Sequence, residues 1–168
     1  AVRMGAGWRR QSRFRALEAR GAWHGGELAL LKPQTYMNAS GEAVGAYMRY
    51  MRVPVSEVIV VFDDADLELG RLRVRPSGGT GGHRGMRSII EHVGDRAFAR
   101  VRIGIGRGDH PDLVGHVLRQ MGERTWQDAV GPAVRRAADA VLCVVDEGVT
   151  SAMNGFNGPV RAEDETSK

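Results

Sequence analysis

The residues of this chain that are best suited to chemistry lie close together in the sequence. Asp63 and Asp64 end an apolar segment, and five of the eight residues from 78 to 85 in the following run are glycine. Glycine tolerates positive φ angles and lets backbone N–H groups approach a ligand closely. A glycine loop that leads into a helix is therefore a natural site for an anion. The alternative is a tight connection between a strand and a helix, without a ligand.

The glycine run does not match the common nucleotide-binding motifs. It lacks the Gly-Lys-Ser/Thr ending of a P-loop, and Arg84 stands where a dinucleotide-binding loop has its last glycine. The acidic stretch that begins at Asp63 resembles the start of a calcium loop, but Leu69 replaces the glycine that such a loop needs. We therefore interpret Asp63 as a functional acid at the end of a strand and expect no metal. A generic nucleotide-binding α/β domain is a further alternative.

Composition narrows the class of protein. The 168 residues are 42% hydrophobic and contain no membrane-length apolar run, which fits one globular domain. The single cysteine, Cys143, cannot form an internal disulfide, so a reducing cytoplasm fits best. All but two of the 24 basic residues are arginine. Arginine suits phosphate recognition, so its excess indicates a nucleic-acid partner. The alternative is a basic face that is only exposed to solvent, which would give the same excess of arginine.

The spacing of apolar residues predicts alternating strands and helices. We expect strands at Arg13–Arg20, Glu27–Leu31, Val58–Phe62, Leu69–Arg75 and Phe98–Ile105, and helices at Ser40–Met51, Arg84–Val93, Arg124–Glu147 and Thr150–Phe156. Within the long helix, Pro132 is compatible only with a kink or a break between two helices. The all-apolar strand that ends at Phe62 is typical of a strand covered on both faces, and the strand that ends at Arg75 has one basic face. This alternation favours an α/β sandwich with a mixed sheet. Asp63 then lies at the carboxyl end of a strand, where such sheets bind ligands.

Two further segments carry side chains that can contact a ligand. Tyr36, Met37 and Asn38 join a predicted strand to a predicted helix, and they can form one wall of a pocket. The alternative is a helix cap with Tyr36 packed in the core. His83 lies within the glycine loop, where its ring can reach a ligand, although a single histidine is more often structural.

Together these segments resemble bacterial peptidyl-tRNA hydrolases. The matching motifs, in order, are Leu31–Gly41, Phe62–Leu67 with Gly70, Gly78–Gly85 and Arg100–Gly106, and Val114–Leu118 is similar to the lid segment of the family. The resemblance runs from Ala1 to about Gly155. Four motifs in the same order make it far more specific than any one of them.

The resemblance implies hydrolysis of the ester that joins a peptide, or an N-blocked aminoacyl group, to the 3′ end of tRNA, which recycles tRNA in translation. It implies a single α/β/α three-layer domain over residues 1–160, built around a mixed central sheet, and a polar, disordered tail at 161–168. It also implies no cofactor and no metal. We expect a cytoplasmic monomer whose partner is peptidyl-tRNA and that does not bind a membrane.

The resemblance also assigns roles to individual residues. Asp63 would orient and stabilise a catalytic histidine. The positions that match substrate or tRNA contacts of the family are Tyr36, Met37, Asn38, His83 and Arg84. The family usually has Asn where this chain has Arg84. Secondary candidates for contact with the tRNA backbone are Arg73, Arg75 and Arg102.

One part of the family pattern is missing. The family opens with a central strand, a Gly-Leu-Gly-Asn-Pro-Gly loop and an Arg-His-Asn segment that carries the catalytic base, and none of them occurs in this sequence. We therefore expect an N-terminally truncated sequence that lacks the first strand and the catalytic histidine and is inactive by itself. The alternative is a non-catalytic RNA-binding relative of the same fold, similar to plant organelle proteins that assist intron splicing.

Overall fold

Short strands alternate with helices along the chain, and the computed structural model describes residues 1–106 and 126–158. The segment Val114–Leu118, which is similar to the lid segment of the family, and the tail 161–168 lie outside the described residues. In the described part, no helix is both long enough and apolar enough to cross a membrane. The described residues form two compact units, the first from 1–58 and 78–97 and the second from 59–77 and the residues after 97.

The first unit contains an antiparallel sheet of three strands. In sheet order they are β1 (Arg9–Gln11), β2 (Ala16–Trp23) and β3 (Gly26–Pro33). The turn between β2 and β3 consists of His24 and Gly25, which both have positive φ angles, 43° and 85°. Such a turn matches the twist of the two strands that it joins. The predicted strands are confirmed with shifted ends, whereas β1 was not predicted.

Two helices complete the first unit, and both were predicted with their observed ends. They are α1 (Ser40–Met51) and α2 (Arg84–Val93). Short 3-10 turns precede or follow the strands and helices at Val2–Met4, Ser12–Phe14, Met37–Ala39 and Val55–Glu57. The core between α1 and the sheet contains Phe14 and Tyr47, whose rings meet edge to face with centroids 5.2 Å apart. This contact holds α1 against the sheet.

The helices α1 and α2 approach each other backbone to backbone. The N–H of Gly41 donates to Ser88 Oγ at 3.0 Å. A Cβ atom at Gly41 would overlap the carbonyl group of Ser88 and lie 2.8 Å from His92 Nδ1. Glycine is therefore required at the start of α1 by the close packing of the two helices, and this contact fixes α1 relative to α2.

A buried carboxylate lies between the sheet and α1. Glu18 of β2 is only 7% exposed, and it accepts hydrogen bonds from the Tyr47 hydroxyl and from Gln11 Nε2, each at 2.6 Å. Arg20 Nε lies 3.7 Å from the same carboxylate. Burial raises the pKa of Tyr47 above its ordinary value, and the hydrogen bond to Glu18 raises it further. Tyr47 thus donates to Glu18 as a neutral phenol.

The second unit contains a mixed sheet. Its strands are β4 (Ile59–Asp64), β5 (Leu72–Arg75) and β6 (Ala99–Gly104), with β6 in the centre, parallel to β4 and antiparallel to β5. A π-helical turn at Trp126–Val130 leads into α3 (Gly131–Glu147), which is followed by α4 (Val149–Phe156). One sheet face packs against the two helices through a core of Leu72, Val74, Val101, Ala137, Ala140 and Ala152. The predicted α/β class with a mixed sheet is confirmed.

One prediction for the second unit needs correction, and another is confirmed with more detail. The strand Val58–Phe62 was expected to be covered on both faces, but no residue of β4 is fully buried and Val61 is 46% exposed. The reason is that an apolar run indicates a strand without specifying what packs on it. The predicted helix Arg124–Glu147 is helical from residue 126 on. The predicted kink or break at Pro132 is a change from the π-helical turn to α3, which starts at Gly131 with Pro132 in its first turn, where a missing N–H costs nothing.

A side chain forms hydrogen bonds with backbone groups of β5 on the edge that does not pair with β6. Asn157, which follows α4, accepts the N–H of Val74 at 2.6 Å through Oδ1 and donates to the Val74 carbonyl at 3.2 Å through Nδ2. The amide side chain thus takes the place of one residue of a neighbouring strand. It satisfies backbone groups that an edge strand otherwise leaves open.

We predict that Gly41→Ala destabilises the first unit by about 3 kcal/mol, because the added methyl group meets backbone that cannot move aside. Gly155→Ala is the matched control. Gly155 also lies in a helix, but a Cβ there meets no atom within 4 Å, so helix propensity makes that change neutral or stabilising by up to about 1 kcal/mol. Urea unfolding of both variants measures the difference. Equal stability of the two variants would contradict the close-packing argument.

We also predict a loss of stability at alkaline pH that depends on Tyr47. Its folded-state pKa is raised above 10.0, so its contribution is complete below about pH 10 and is lost as the pH rises above that value, because the unfolded phenol then ionises. From about pH 8 to about pH 11, wild type should lose about 1.4 kcal/mol relative to Tyr47→Phe. Urea unfolding at both pH values tests this, with Tyr50→Phe at a 55% exposed ring as the control. Parallel pH profiles for wild type and Tyr47→Phe would show that the prediction is wrong.

Candidate functional site

The glycine loop turns sharply before it enters α2. Gly81 and Gly82 have φ angles of 55° and 77°, which residues with a side chain rarely adopt, so these two positions need glycine. The N–H of His83 donates to the Thr80 carbonyl at 3.0 Å. The chain then enters α2, with Arg84 exposed as its first residue. The loop thus places His83 and Arg84 at the N-terminus of the helix.

His83 caps α2 with its imidazole ring. Its Nδ1 accepts the N–H of Met86 at 3.1 Å, one of the donors that has no partner within the helix. Because Nδ1 accepts this hydrogen bond, the neutral ring carries its proton on Nε2. The cap fixes the ring at the N-terminus of α2, so a structural role of His83 is evident in addition to any contact with a ligand.

The segment before α1 presents three predicted site residues to solvent. Tyr36 is 84% exposed and Met37 is 55% exposed, and Asn38 is exposed as well. Ala39 precedes α1 without a side-chain cap, while Ser40 Oγ donates to the Met37 carbonyl at 2.9 Å. The alternative in which Tyr36 packs in the core is therefore wrong. An aromatic ring, a thioether and an amide are available here for contact with a ligand.

The exposed segment meets the N-terminus of α2 at Gly85. A Cβ atom built on Gly85 would lie 2.6 Å from Met37 Sδ and 2.9 Å from His83 Cε1. Met37 and His83 thus border the same glycine, although 45 residues separate them in the sequence. We name this part of the first unit the loop–helix surface; it comprises Tyr36, Met37, Asn38, His83 and Arg84.

In the second unit, two acids end β4. Asp64 is bonded at both carboxylate oxygens, since Oδ1 accepts the N–H of Asp66 at 2.9 Å and Oδ2 forms an ion pair with Arg102 Nε. Successive residues of a strand point to opposite faces, so Asp63 lies on the other face, beside Ile103 of β6. Asp63 is half-buried. The two neighbouring acids therefore have different environments, and Asp64 has a structural role.

Arginines of β5 and β6 share one face of the second sheet. We name it the basic sheet face; it comprises Arg73, Arg75, Arg100 and Arg102, and the strand register pairs Arg73 with Arg102 and Arg75 with Arg100. Arg73 Nε has no hydrogen-bond partner among the described residues. Like charges directly opposite one another in a sheet are destabilising, so this arrangement favours a bound anion. The prediction of a basic face on the strand that ends at Arg75 is confirmed.

The sequence did not reveal two features of this face. Arg102 was predicted only as a contact for an RNA backbone, but its Nε is bonded to Asp64. Arg100 was not predicted as a site residue; it is 3% exposed, with its guanidinium 4.7 Å from the Phe98 ring centroid. Burial lowers the pKa of Arg100, and the charge of Arg102 lowers it further. Only the register of β5 on β6 shows that the four arginines share a face.

The predicted site residues fall into two groups. The loop–helix surface belongs to the first unit, whereas Asp63 and the basic sheet face belong to the second. Within residues 1–106 and 126–158, no three His, Cys, Asp or Glu side chains form a group that could hold a metal ion. The loop–helix surface of the first unit offers hydrogen-bonding groups and an apolar contact surface, and the second unit separately offers a carboxylate and a row of cations.

Comparisons with known proteins all point to one family. The family model described as peptidyl-tRNA hydrolase matches residues 1–166. A peptidyl-tRNA hydrolase of Synechococcus sp. is 48% identical over 148 residues, which are 88% of this chain and 65% of that protein. A peptidyl-tRNA hydrolase of Caldanaerobacter subterraneus is 44% identical over 146 residues, which are 87% of this chain and 78% of that protein.

Solved structures agree with the sequence comparisons. The crystal structure of peptidyl-tRNA hydrolase from Acinetobacter baumannii matches with a TM-score of 0.84 and 30% sequence identity, over 94% of this chain and 80% of that one. A crystal structure of a peptidyl-tRNA hydrolase in complex with n-propanol matches with a TM-score of 0.85, over 96% of this chain and 82% of the other. The chain thus spans between about two thirds and four fifths of the length of these relatives.

Proposed function

The chain belongs to the peptidyl-tRNA hydrolase family, and we propose that it acts in the hydrolysis of the ester between a peptide, or an N-blocked aminoacyl group, and the 3′ end of tRNA. This reaction releases tRNA for another round of translation. The observation that carries the proposal is the loop–helix surface, where Met37 and His83 meet at Gly85 next to an exposed amide and an exposed aromatic ring.

The family resemblance implies a role in ester hydrolysis for each group, and we propose these roles for this chain. A water molecule must lose a proton as it attacks the ester carbonyl, and a histidine is the usual base. In this proposal Asp63 orients that histidine and fixes its tautomer. The Asn38 amide hydrogen-bonds the substrate or positions the attacking water. Tyr36 and Met37 contact the esterified residue, and Arg84 supplies a charged donor to the tRNA.

The basic sheet face is proposed to contact the tRNA backbone. Arg73, Arg75 and Arg102 would bind phosphate oxygens, for which the planar guanidinium is well suited. A phosphate would also reduce the repulsion between neighbouring guanidinium groups. Arg102 would share its charge between Asp64 and the phosphate, since its Nε already bonds Asp64. We propose further that the protein acts as a monomer in the cytoplasm and uses no metal or cofactor.

We propose that residues 1–168 do not supply the base themselves. The chain contains five histidines. His83 Nδ1 caps α2, and His92 Nδ1 is 2.8 Å from the carbonyl of Ser88 in the same helix. His24 lies in a hairpin turn, and His110 and His116 lie outside the described residues. None of the five matches the Arg-His-Asn segment that carries the base in the family.

Release of N-acetylphenylalanine from tRNA tests the activity. We expect residues 1–168 to bind the substrate without appreciable hydrolysis. The same chain preceded by a strand, a Gly-Leu-Gly-Asn-Pro-Gly loop and an Arg-His-Asn segment should hydrolyse it, with acceleration of at least about a hundredfold from the added base. The control is the extended chain with Asp63→Asn, which should lower turnover more than tRNA binding.

The outcomes of this assay separate the alternatives. Full activity of residues 1–168 alone would contradict the proposal that the base is absent. Tight tRNA binding without hydrolysis by the extended chain would favour the non-catalytic RNA-binding relative. If the extended chain neither binds nor hydrolyses the substrate, the proposed function is wrong.

We predict that Arg73→Gln with Arg75→Gln weakens tRNA binding and flattens its salt dependence. Each phosphate contact that is lost should reduce the slope of log affinity against log salt by about 0.9, so the double variant should lose about 2. Arg135→Gln is the matched control, because Arg135 is exposed on α3 and lies outside the basic sheet face. Binding curves at several salt concentrations measure the slopes. An unchanged slope in the double variant would show that the basic sheet face is exposed to solvent and does not contact tRNA phosphates.

A further inference from the structure

Gly85 is a glycine inside a helix whose backbone does not need one. It is the second residue of α2, it is buried, and its φ angle lies outside the left-handed region. Alanine is the better helix former in such a position. The structure gives a different reason for glycine, namely the space that its missing side chain leaves.

Two functional side chains occupy the space beside Gly85. A Cβ atom there would lie 2.6 Å from Met37 Sδ, 2.9 Å from His83 Cε1 and 3.3 Å from His83 Nδ1. Real Cβ atoms do not come this close to such neighbours, so Met37 or the capping ring would have to move. The thioether is near the flexible end of its side chain and moves more easily than the ring, whose Nδ1 is bonded to Met86.

Met37 is held at this place although more than half of its surface is exposed. Ser40 Oγ donates to its carbonyl at 2.9 Å and lies 3.9 Å from its sulfur. Its backbone belongs to the 3-10 turn that leads into α1, and the contact between Gly41 and Ser88 fixes α1 on α2. The thioether is thus seated against Gly85 by its packing while one side remains open to a ligand.

We propose that Gly85 is a positioning residue, whose missing side chain forms the slot that seats the Met37 thioether beside His83, where it contacts the residue esterified to the tRNA 3′ end. This inference rests on the proposed function. A thioether is polarizable and adaptable, which suits a contact with esterified residues of different size and shape. The slot would therefore favour acylated tRNA over free tRNA without selecting one amino acid.

Binding to residues 1–168 tests the slot. The probes are a tRNA that carries N-acetylphenylalanine through a hydrolysis-resistant 3′-amide and the same tRNA without it. Gly85→Ala should weaken binding of the acylated tRNA about tenfold and leave binding of the free tRNA within about twofold. The nuclear Overhauser effect between the Met37 methyl group and the His83 ring should disappear. Gly155→Ala, a helical glycine with open space around its Cβ position, should change neither measurement.

A double-mutant cycle shows whether Gly85 acts through Met37. Met37→Ala should lose the preference for acylated tRNA, and adding Gly85→Ala should then have little further effect, because the shortened side chain no longer needs the slot. The double variant also serves if Gly85→Ala alone unfolds, since it relieves the overlap with the sulfur. Additive losses from the two substitutions would overturn the proposal.

The failure of the slot and the failure of the proposed function give different results. If wild type prefers acylated tRNA and Gly85→Ala keeps both the preference and the methyl-to-ring contact, the slot is overturned while the function stands. If wild type binds both tRNAs equally, the contact with the esterified residue is overturned. If the extended chain also fails to hydrolyse the substrate, the function fails with it.

Discussion

The backbone contact between α1 and α2 at Gly41 and Ser88 is the constraint on which the loop–helix surface depends. The exposed segment that carries Met37 leads directly into α1, and His83 caps α2, so the relative position of the two helices determines the distance between these side chains. Because the contact involves backbone atoms on the α2 side, it tolerates no added methyl group and leaves little freedom to the helices. Helix packing thus determines where the side chains of the loop–helix surface lie.

In the second unit, charge interactions rather than helix packing dominate the environment of the candidate site residues. Four guanidinium groups lie on one face of the sheet, and Asp64 is paired with one of them, Arg102. Arg100 is almost fully buried, which lowers its pKa, and it packs on the ring of Phe98. Apolar residues would pack more favourably at these positions, because burial of a charge costs free energy. An anion bound at this face would offset part of this cost, which is the physical basis for the proposed contact with a nucleic-acid backbone.

Local signals in the sequence were sufficient to predict the ends of α1 and α2, but they did not predict the burial and the register of the strands. Both ends of α1 and α2 were predicted, because the helical signal lies within the local sequence of each segment. Burial of β4 could not be predicted, since it depends on what packs against the strand. The bond from Arg102 to Asp64 depends on strand register, and strand alternation alone does not provide that information. The contact of Met37 and His83 with Gly85 depends on how α1 and α2 pack, and the sequence alone does not predict that packing either.

The cap formed by His83 bears directly on how the chemistry is divided. A histidine that accepts a backbone N–H through Nδ1 loses that bond when this nitrogen takes up a proton, and the helix N-terminus then loses its cap. A base that cycles between neutral and charged forms through Nδ1 would weaken α2 in each turnover. The cap therefore suits His83 to holding the loop–helix surface in place, which agrees with the proposal that a different histidine acts as the base.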